Sequence, residues 1–358
     1  MVYWLLWGVY VGVTLLLALG FARSWLVSKK IKHRKREGGE PFLVSVLVTF
    51  HNEEEEVDRI VPALLGQTYP DLEVILVDDR STDSTWHRLQ HYKRDCRVIL
   101  TRVEKIPPGY NSRKWALHQG IALAKGEWIF VTDADCCPSP FWIETMVHFA
   151  REGHGDVILG FSPLKEGQNL WHFWIQFENY LTAYLYYGFW GLGIPFMGVG
   201  RNMGFRKEWY MRTNPYKGKW HEVSGSDDFL VQCASRVLPC LVPESVIPYQ
   251  LRGKEKWNTY LRRRGRHFSA FFAYPLKVKL GLLFLLLVDW SFLTIGTGNW
   301  GLWFTGIGFR TLTFWLALGI LGRKRAFFWG FYPVFYLLWL PYHLGINAFF
   351  RRKKIAEW

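Results

Sequence analysis

Cysteine is scarce in this chain: Cys96, Cys136, Cys137, Cys233 and Cys240 make an odd set with no C-x-x-C pair. Neither a disulfide framework nor a zinc site is favoured, and a reducing compartment is the simpler setting. Charge is also sparse, at 21% of 358 residues, while apolar residues reach 50%. That excludes a disordered chain. Acids are the minority charge, 30 Asp and Glu against 44 Lys and Arg, for a net +14. Such an excess suits an anionic membrane surface, an anionic substrate or nucleic acid. Aromatics are plentiful, with 20 Trp, 17 Tyr and 27 Phe. These rings gather where an apolar body meets a polar edge, as at a bilayer interface.

The N-terminus does not read as a cleavable leader. Residues 2–27 carry one charge, Arg23, and the basic run KKIKHRKR (29–36) comes after the apolar stretch instead of preceding it. A helix of that length reaches across the roughly 30 Å hydrocarbon layer. Residues 1–28 are therefore expected to be an anchor and 29–40 a basic juxtamembrane linker. The positive-inside rule puts the chain from residue 28 onward in the cytoplasm. From residue 268 to 350 the chain is apolar again, with candidate spans at 279–298 and 300–321, before a basic tail at 351–358. A third apolar stretch, 326–349, contains Pro333 and Pro341. If it crossed, RRKK (351–354) would lie outside, so it is expected to be kinked, re-entrant or interfacial. Asp289 and Arg310 read as loop-end or snorkelling positions, with a buried polar site as the other reading.

Residues 41–267 are expected to form one cytoplasmic catalytic domain. Short β-rich runs at 43–49, 72–79, 97–103, 127–135 and 156–161 alternate with helical patterns at 55–67, 81–93, 113–126 and 139–150. The alternation predicts an α/β fold, a mostly parallel sheet with helices on both faces. Ligands in such sheets sit beyond the strand carboxyl ends, where Asp78-Asp79 and Asp133-Ala134-Asp135 both fall. The aromatic stretch 171–190 has a transmembrane look. One crossing there would put residues 133 and 228 on opposite sides of the membrane, so an interfacial helix is expected.

Six groups carry chemistry. Asp133 and Asp135, one residue apart at a strand end, can hold Mg²⁺ or Mn²⁺, hard cations that prefer oxygen. Most lone D-x-D pairs are solvated turns. Asp79 can cap the next helix or bind a base or ribose. Thr49 and Glu53 flank the end of the first strand, ahead of a Glu run that suits a helix dipole. Lys114, a surface residue or a phosphate partner, opens K-W-A-L-H-Q-G. Asp227 and Asp228 in S-D-D-F-L are first-turn acids, and one could serve as general base. The run RRRGRH (262–267), with Arg252, Lys254 and Lys256 before it, suits anionic lipid or an arginine cradle over a diphosphate.

Taken in order, V-S-V-L-V-T-F-H-N-E-E (44–54), V-D-D-R-S-T-D-S-T (77–85), K-W-A-L-H-Q-G (114–120), D-A-D (133–135), G-V-G-R-N-M-G-F-R (198–206) and S-D-D-F-L (226–230) resemble the family 2 glycosyltransferases with a GT-A fold. The layout of anchor, catalytic domain and C-terminal spans is similar to that of ceramide and carotenoid glucosyltransferases and polysaccharide synthases. The resemblance implies that Thr49, Glu53 and Asp79 hold the uridine end of a UDP-sugar, and that Lys114 approaches its diphosphate. It implies Asp133 and Asp135 as metal ligands, with Asp227 beside the base Asp228. It also implies an inverting transfer to a lipid hydroxyl at the cytoplasmic face of a bacterial inner membrane.

The family's Q-x-x-R-W motif is altered here: Arg263 stands for Gln, Arg266 keeps the Arg, and His267 replaces Trp. These three are expected substrate-binding residues; in processive synthases the Trp lines the acceptor end of the site, so its loss weighs against a polymerase. A processive synthase and transfer to polyprenyl phosphate are the other enzymatic readings. An inactive tethered binding protein is the non-enzymatic one. Nucleic acid is not expected, because both basic runs flank apolar spans and anionic lipid explains them.

Overall fold

The computed structural model describes residues 1–34, 40–165, 170–250, 257–322, 330–339 and 342. The expected contributions of residues 35–39, of Arg252, Lys254 and Lys256, of 323–329 and most of 340–350, and of the basic tail lie outside these.

In chain order the elements are α1 (Val2–Lys32), β1 (Val44–Phe50), α2 (Glu54–Leu65), β2 (Leu72–Asp78), α3 (Thr85–His91), β3 (Val98–Arg102), α4 (Ser112–Leu123), β4 (Trp128–Asp133), α5 (Trp142–Gly153), β5 (Val157–Leu159), α6 (Leu170–Gly191), β6 (Met203–Arg206), α7 (Lys207–Thr213), α8 (Ser226–Cys233), β7 (Val237–Pro239), α9 (Trp257–Ser269), α10 (Leu276–Ile295) and α11 (Trp300–Ile320). They fall into two units.

The first unit comprises residues 27–165 and 197–253. Its sheet has the order β3-β2-β1-β4-β6-β5-β7. All neighbours run parallel except β6, which is antiparallel to both β4 and β5. The expected α/β architecture is the one found. Strands β1, β2 and β4 read as unbroken apolar runs because both of their faces are covered, and nearly every residue in them is buried. The short antiparallel β6 was not anticipated. It pairs Met203 with Val131, so the glycine-rich segment before it arrives where β4 ends. The last turn of α1 also belongs to this unit. Buried Ser28 accepts from the Leu241 N–H at 2.8 Å, and Lys32 pairs with Glu244 at 2.8 Å. The basic stretch expected to be a linker from residue 29 is thus still helix through Lys32.

The second unit comprises residues 1–26, 166–196 and 254–358. Val2–Lys32 and Leu276–Gly298 are long and apolar enough to cross a bilayer. Helix α6, expected within the catalytic domain or on a membrane surface, packs here instead. Gly20 of α1 meets Gly188 and Gly191 of α6 backbone to backbone, so close that a Cβ on Gly20 or Gly191 would overlap a facing carbonyl. Small residues at a helix crossing permit this approach. Ser24 donates to the Tyr187 carbonyl at 2.6 Å, and Arg23 donates to the Gly191 carbonyl at 2.8 Å, a cation at a helix carboxyl end.

Asp289 and Arg310 are not at loop ends and do not snorkel. Their side chains form a two-pronged pair at 2.9 and 3.1 Å, and both residues are 2% exposed. Tyr10 and Tyr336 lie within 5.5 and 5.0 Å of the guanidinium. A buried ion pair persists because each charge is the other's compensation for lost hydration. Residues 332–339 of the third apolar stretch are helical.

Candidate active site

A small cleft opens in the first unit, lined by Thr49, Arg113, Asp133, Gly200, Ser226 and Asp227 among others. Thr49, one residue before the end of β1, lies directly opposite Asp133 at the end of β4. Gly200 comes from the segment before β6, and Asp227 from the first turn of α8. Three of the expected residues, Thr49, Asp133 and Asp227, therefore share one wall.

The acidic pair of α8 is held by the glycine segment. Asp227 Oδ2 accepts from the Gly200 N–H at 2.9 Å, and Asp228 Oδ1 accepts from the Gly198 N–H at 3.2 Å. A Cβ on Gly198 would sit 3.1 Å from the Asp227 carbonyl and 3.0 Å from Val231. Only a bare backbone comes that near without displacing the helix. Asp228 is 5% exposed and lies behind Asp227. Gly225, with φ of 83°, turns the chain into the helix, whose amino end favours both carboxylates.

The cation in the cleft is Arg113, where the motif had pointed to its neighbour Lys114. Its Nη2 lies 2.6 Å from Asp133 Oδ1, and Asp227 and Asp135 also face it. Lys114 is 1% exposed. Its ammonium donates to the backbone carbonyls of Glu222 and Ser224 and lies 5.6 Å from the Phe229 ring. Burial pushes that ammonium down to about 8. Arg113 could have been found from its spacing to Leu117, four residues on and also in the cleft wall.

Asp135 is half-buried. Burial and then the Asp133 carboxylate push its carboxyl up, and Arg201 pulls it down. Arg201 stands 3.9 Å over the Tyr249 ring and donates to Ser162 Oγ at 3.3 Å. It too was not anticipated, although it sits in the glycine motif of residues 198–206. Among the described residues no three His, Cys, Asp or Glu gather as a ligand set. The donors present are two carboxylates. That suits Mg²⁺ or Mn²⁺, which commonly take one or two carboxylates and complete the shell with phosphate oxygens and water.

The loops after β1 and β2 are laced together. His51 Nδ1–H donates to the Asp79 carbonyl at 2.7 Å, and Asn52 N–H to Ser81 Oγ at 3.0 Å. Asn52 Oδ1 accepts from Thr82 N–H at 2.8 Å, and Glu53 N–H donates to Thr85 Oγ1 at 2.7 Å. Asn52 and Arg80 both adopt left-handed φ, at 56° and 57°, to make these turns. Asp79, 6% exposed, pairs with Arg80 Nε at 2.9 Å. Its neighbour Asp78 is sealed against Arg102 at 2.9 Å and is a structural partner. Glu53 and Asp79 thus stand on two loops that bond to one another.

Arg263, Arg266 and His267 lie on α9, in the helical unit. There Arg264 and Tyr260 both bond the buried Glu178 carboxylate of α6.

Residues 45–213 match the profile of glycosyl transferase family 2. The chain is 30% identical over 145 residues to the glycosyltransferase GlyG of Streptococcus pneumoniae serotype 4, covering 40% of this chain and 47% of that one. It is 31% identical over 105 residues to the UDP-Glc:alpha-D-GlcNAc-diphosphoundecaprenol beta-1,3-glucosyltransferase WfaP of Escherichia coli, covering 29% of this chain and 38% of that one. The matched part thus spans less than half the length of either relative. Among solved structures, a mannosyltransferase of Pyrobaculum calidifontis in complex with GDP-Man and Mn²⁺ aligns at 16% identity and a TM-score of 0.47, covering 93% of this chain and 98% of that one.

Proposed function

From the premise that residues 45–213 form a family 2 glycosyltransferase domain of GT-A type, we propose that this protein moves a sugar from a UDP-sugar to a hydroxyl borne by a membrane lipid, with inversion. The observation that carries this reading is the meeting of Asp133, Arg113 and Asp227 in one cleft, with Asp228 bonded just behind. Groups for an anionic leaving group and for a proton are then close together in one cleft.

Glu53 and Asp79, with Thr49, take the uridine end. Arg113 takes the diphosphate, since a guanidinium matches phosphate oxygens with paired donors. Asp133 and Asp135 would hold Mg²⁺ or Mn²⁺, which supplies neutralisation of the departing diphosphate. Asp228 accepts the proton of the acceptor hydroxyl. The acceptor oxygen bonds to the anomeric carbon as the carbon–phosphate oxygen bond breaks, and UDP leaves from the face opposite attack. The Gly198 amide fixes one oxygen of the Asp228 carboxylate.

A lipid acceptor is supported by the apolar side chains that α1 and α10 leave exposed, such as Leu16, Leu19, Leu280 and Leu287. The charge order at the end of α1 supports a catalytic unit on the cytoplasmic side. The E. coli relative, whose name specifies a diphosphoundecaprenol-borne acceptor, fits the same picture.

The test is UDP release by the detergent-purified protein from a panel of UDP-sugars, with and without Mn²⁺, using total membrane lipid as acceptor and mass spectrometry as readout. One added hexose on a lipid is the expected product. A ladder of sugars would replace this reading with a polymerase. No release from any donor would remove it.

A further inference from the structure

We propose that Lys114 is a positioning residue, whose ammonium holds the backbone leading into the acidic pair of α8 rather than contacting the donor. The inference rests on the reading of Asp228 as the base.

The first turn of α4 grips the loop before α8 at three carbonyls. Asn111 N–H donates to Trp220 O at 2.8 Å, and Lys114 Nζ donates to Glu222 O and to Ser224 O, the second at 3.2 Å. The Tyr110 ring stacks on Trp220 at 4.8 Å and 15°. The Asn111 side chain accepts from Lys114 N–H at 3.3 Å, which caps α4 and fixes where the lysine begins. Two residues past Ser224 the helix with Asp227 and Asp228 starts. Those carboxylates are bound from the other direction by the Gly200 and Gly198 amides. The acids are therefore fixed twice, through their side chains by the glycine segment and through their backbone by Lys114.

Burying an ammonium is costly unless its donors are matched. An apolar side chain would fill the same space without that cost. What only the lysine adds is donation to carbonyls 222 and 224, whose positions set the entry angle of α8. Glu222, Asp227 and Asp228 draw on its charge and Arg113 opposes it. Arg113, one residue earlier and so about 100° around the helix, is the cation in the cleft wall.

The test uses the full-length protein in nanodiscs with Lys114→Met and Lys114→Gln. Methionine keeps the stem and removes the donors; glutamine keeps neutral donors and removes the charge. For the Met variant, UDP affinity in Mn²⁺ is expected to stay near wild type. Its kcat should fall by about 100-fold, the scale of a misplaced catalytic group. The Gln variant should recover most of that kcat. If the amine instead contacts the diphosphate, both variants lose UDP affinity alike, by about 10-fold or more for a lost charge-assisted bond, and the proposal is overturned. Amide hydrogen exchange over residues 222–229 should accelerate in the Met variant, and unchanged exchange also overturns it. Should the Met variant not fold, the Gln variant decides through UDP affinity alone. If the wild type turns over no UDP-sugar, the transferase reading fails, while the exchange measurement still judges Lys114.

Discussion

Each unit of this molecule contains an arginine–aspartate pair, and the two differ in access. Arg113 and Asp133 pair at 2.6 Å with 39% and 23% of their side chains exposed. Arg310 and Asp289 pair at 2.9 Å with 2% and 3% exposed. The open pair can trade partners at small loss: a cation can take Asp133, a phosphate can take Arg113, and water can take either. The sealed pair cannot, because each charge has lost its hydration and is compensated chiefly by the other, with Thr14 Oγ1 3.4 Å from the guanidinium. The same chemistry is thus open to a ligand in one setting and a helix fastening in the other.

The largest effect should come from the acid behind the open pair. Asp228→Asn should lower turnover by about 10²–10⁴-fold, the span of a lost general base, with UDP binding retained. Equal losses in turnover and in a UDP titration would remove Asp228 from that role. Next comes the sealed pair. Asp289→Asn strands a buried guanidinium and should cost about 3–5 kcal/mol of stability, read as a lower thermal midpoint and poor recovery of folded protein. Turnover per folded molecule should hold. The double change Asp289→Leu with Arg310→Met should regain most of the loss, and failure to do so would mean that the pair does more than fasten helices.

Arg113→Gln tests the open pair. UDP affinity should fall by about 10-fold or more while the thermal midpoint barely moves, as expected for a partly solvated pair. A large drop in melting would erase the contrast between the two pairs.

The smallest effect is a pH dependence. Lys114 is pushed down to about 8 from 10.5, so between these values the unfolded chain holds a proton that the folded one has released. Stability from this group therefore rises with pH across that window and is lowest below it. The thermal midpoint of wild type relative to Lys114→Met should climb from pH 8 to pH 10; a flat difference would contradict the sign.

Much of the catalytic unit was legible in the sequence because its strands are buried on both faces. Runs such as Leu43–Thr49 and Glu127–Asp135 declare themselves without alternation. Their carboxyl ends then locate Asp79 and Asp133. The four-residue β6 was not legible: Gly204 weakens its strand signal, and antiparallel insertion is a property of the whole sheet. Arg113 and Lys114 are adjacent cations, and only the rotation of α4 on the sheet decides which one enters the cleft. The Asp289–Arg310 pair depends on two helices meeting, which no local pattern encodes. The packing of helix α6 against α1 was not legible for a related reason. Its aromatic composition suits an interface or a packed bundle equally, and the deciding contacts are glycines on a helix more than a hundred residues earlier.

The lacing of the loops after β1 and β2 bears on redesign. Residues 51–54 of the first and 79–85 of the second satisfy one another's amides and hydroxyls. They behave as a single cassette. Exchanging one loop for that of a relative with a different nucleotide preference would leave the other with orphaned donors, so a donor swap must transplant both segments in one step.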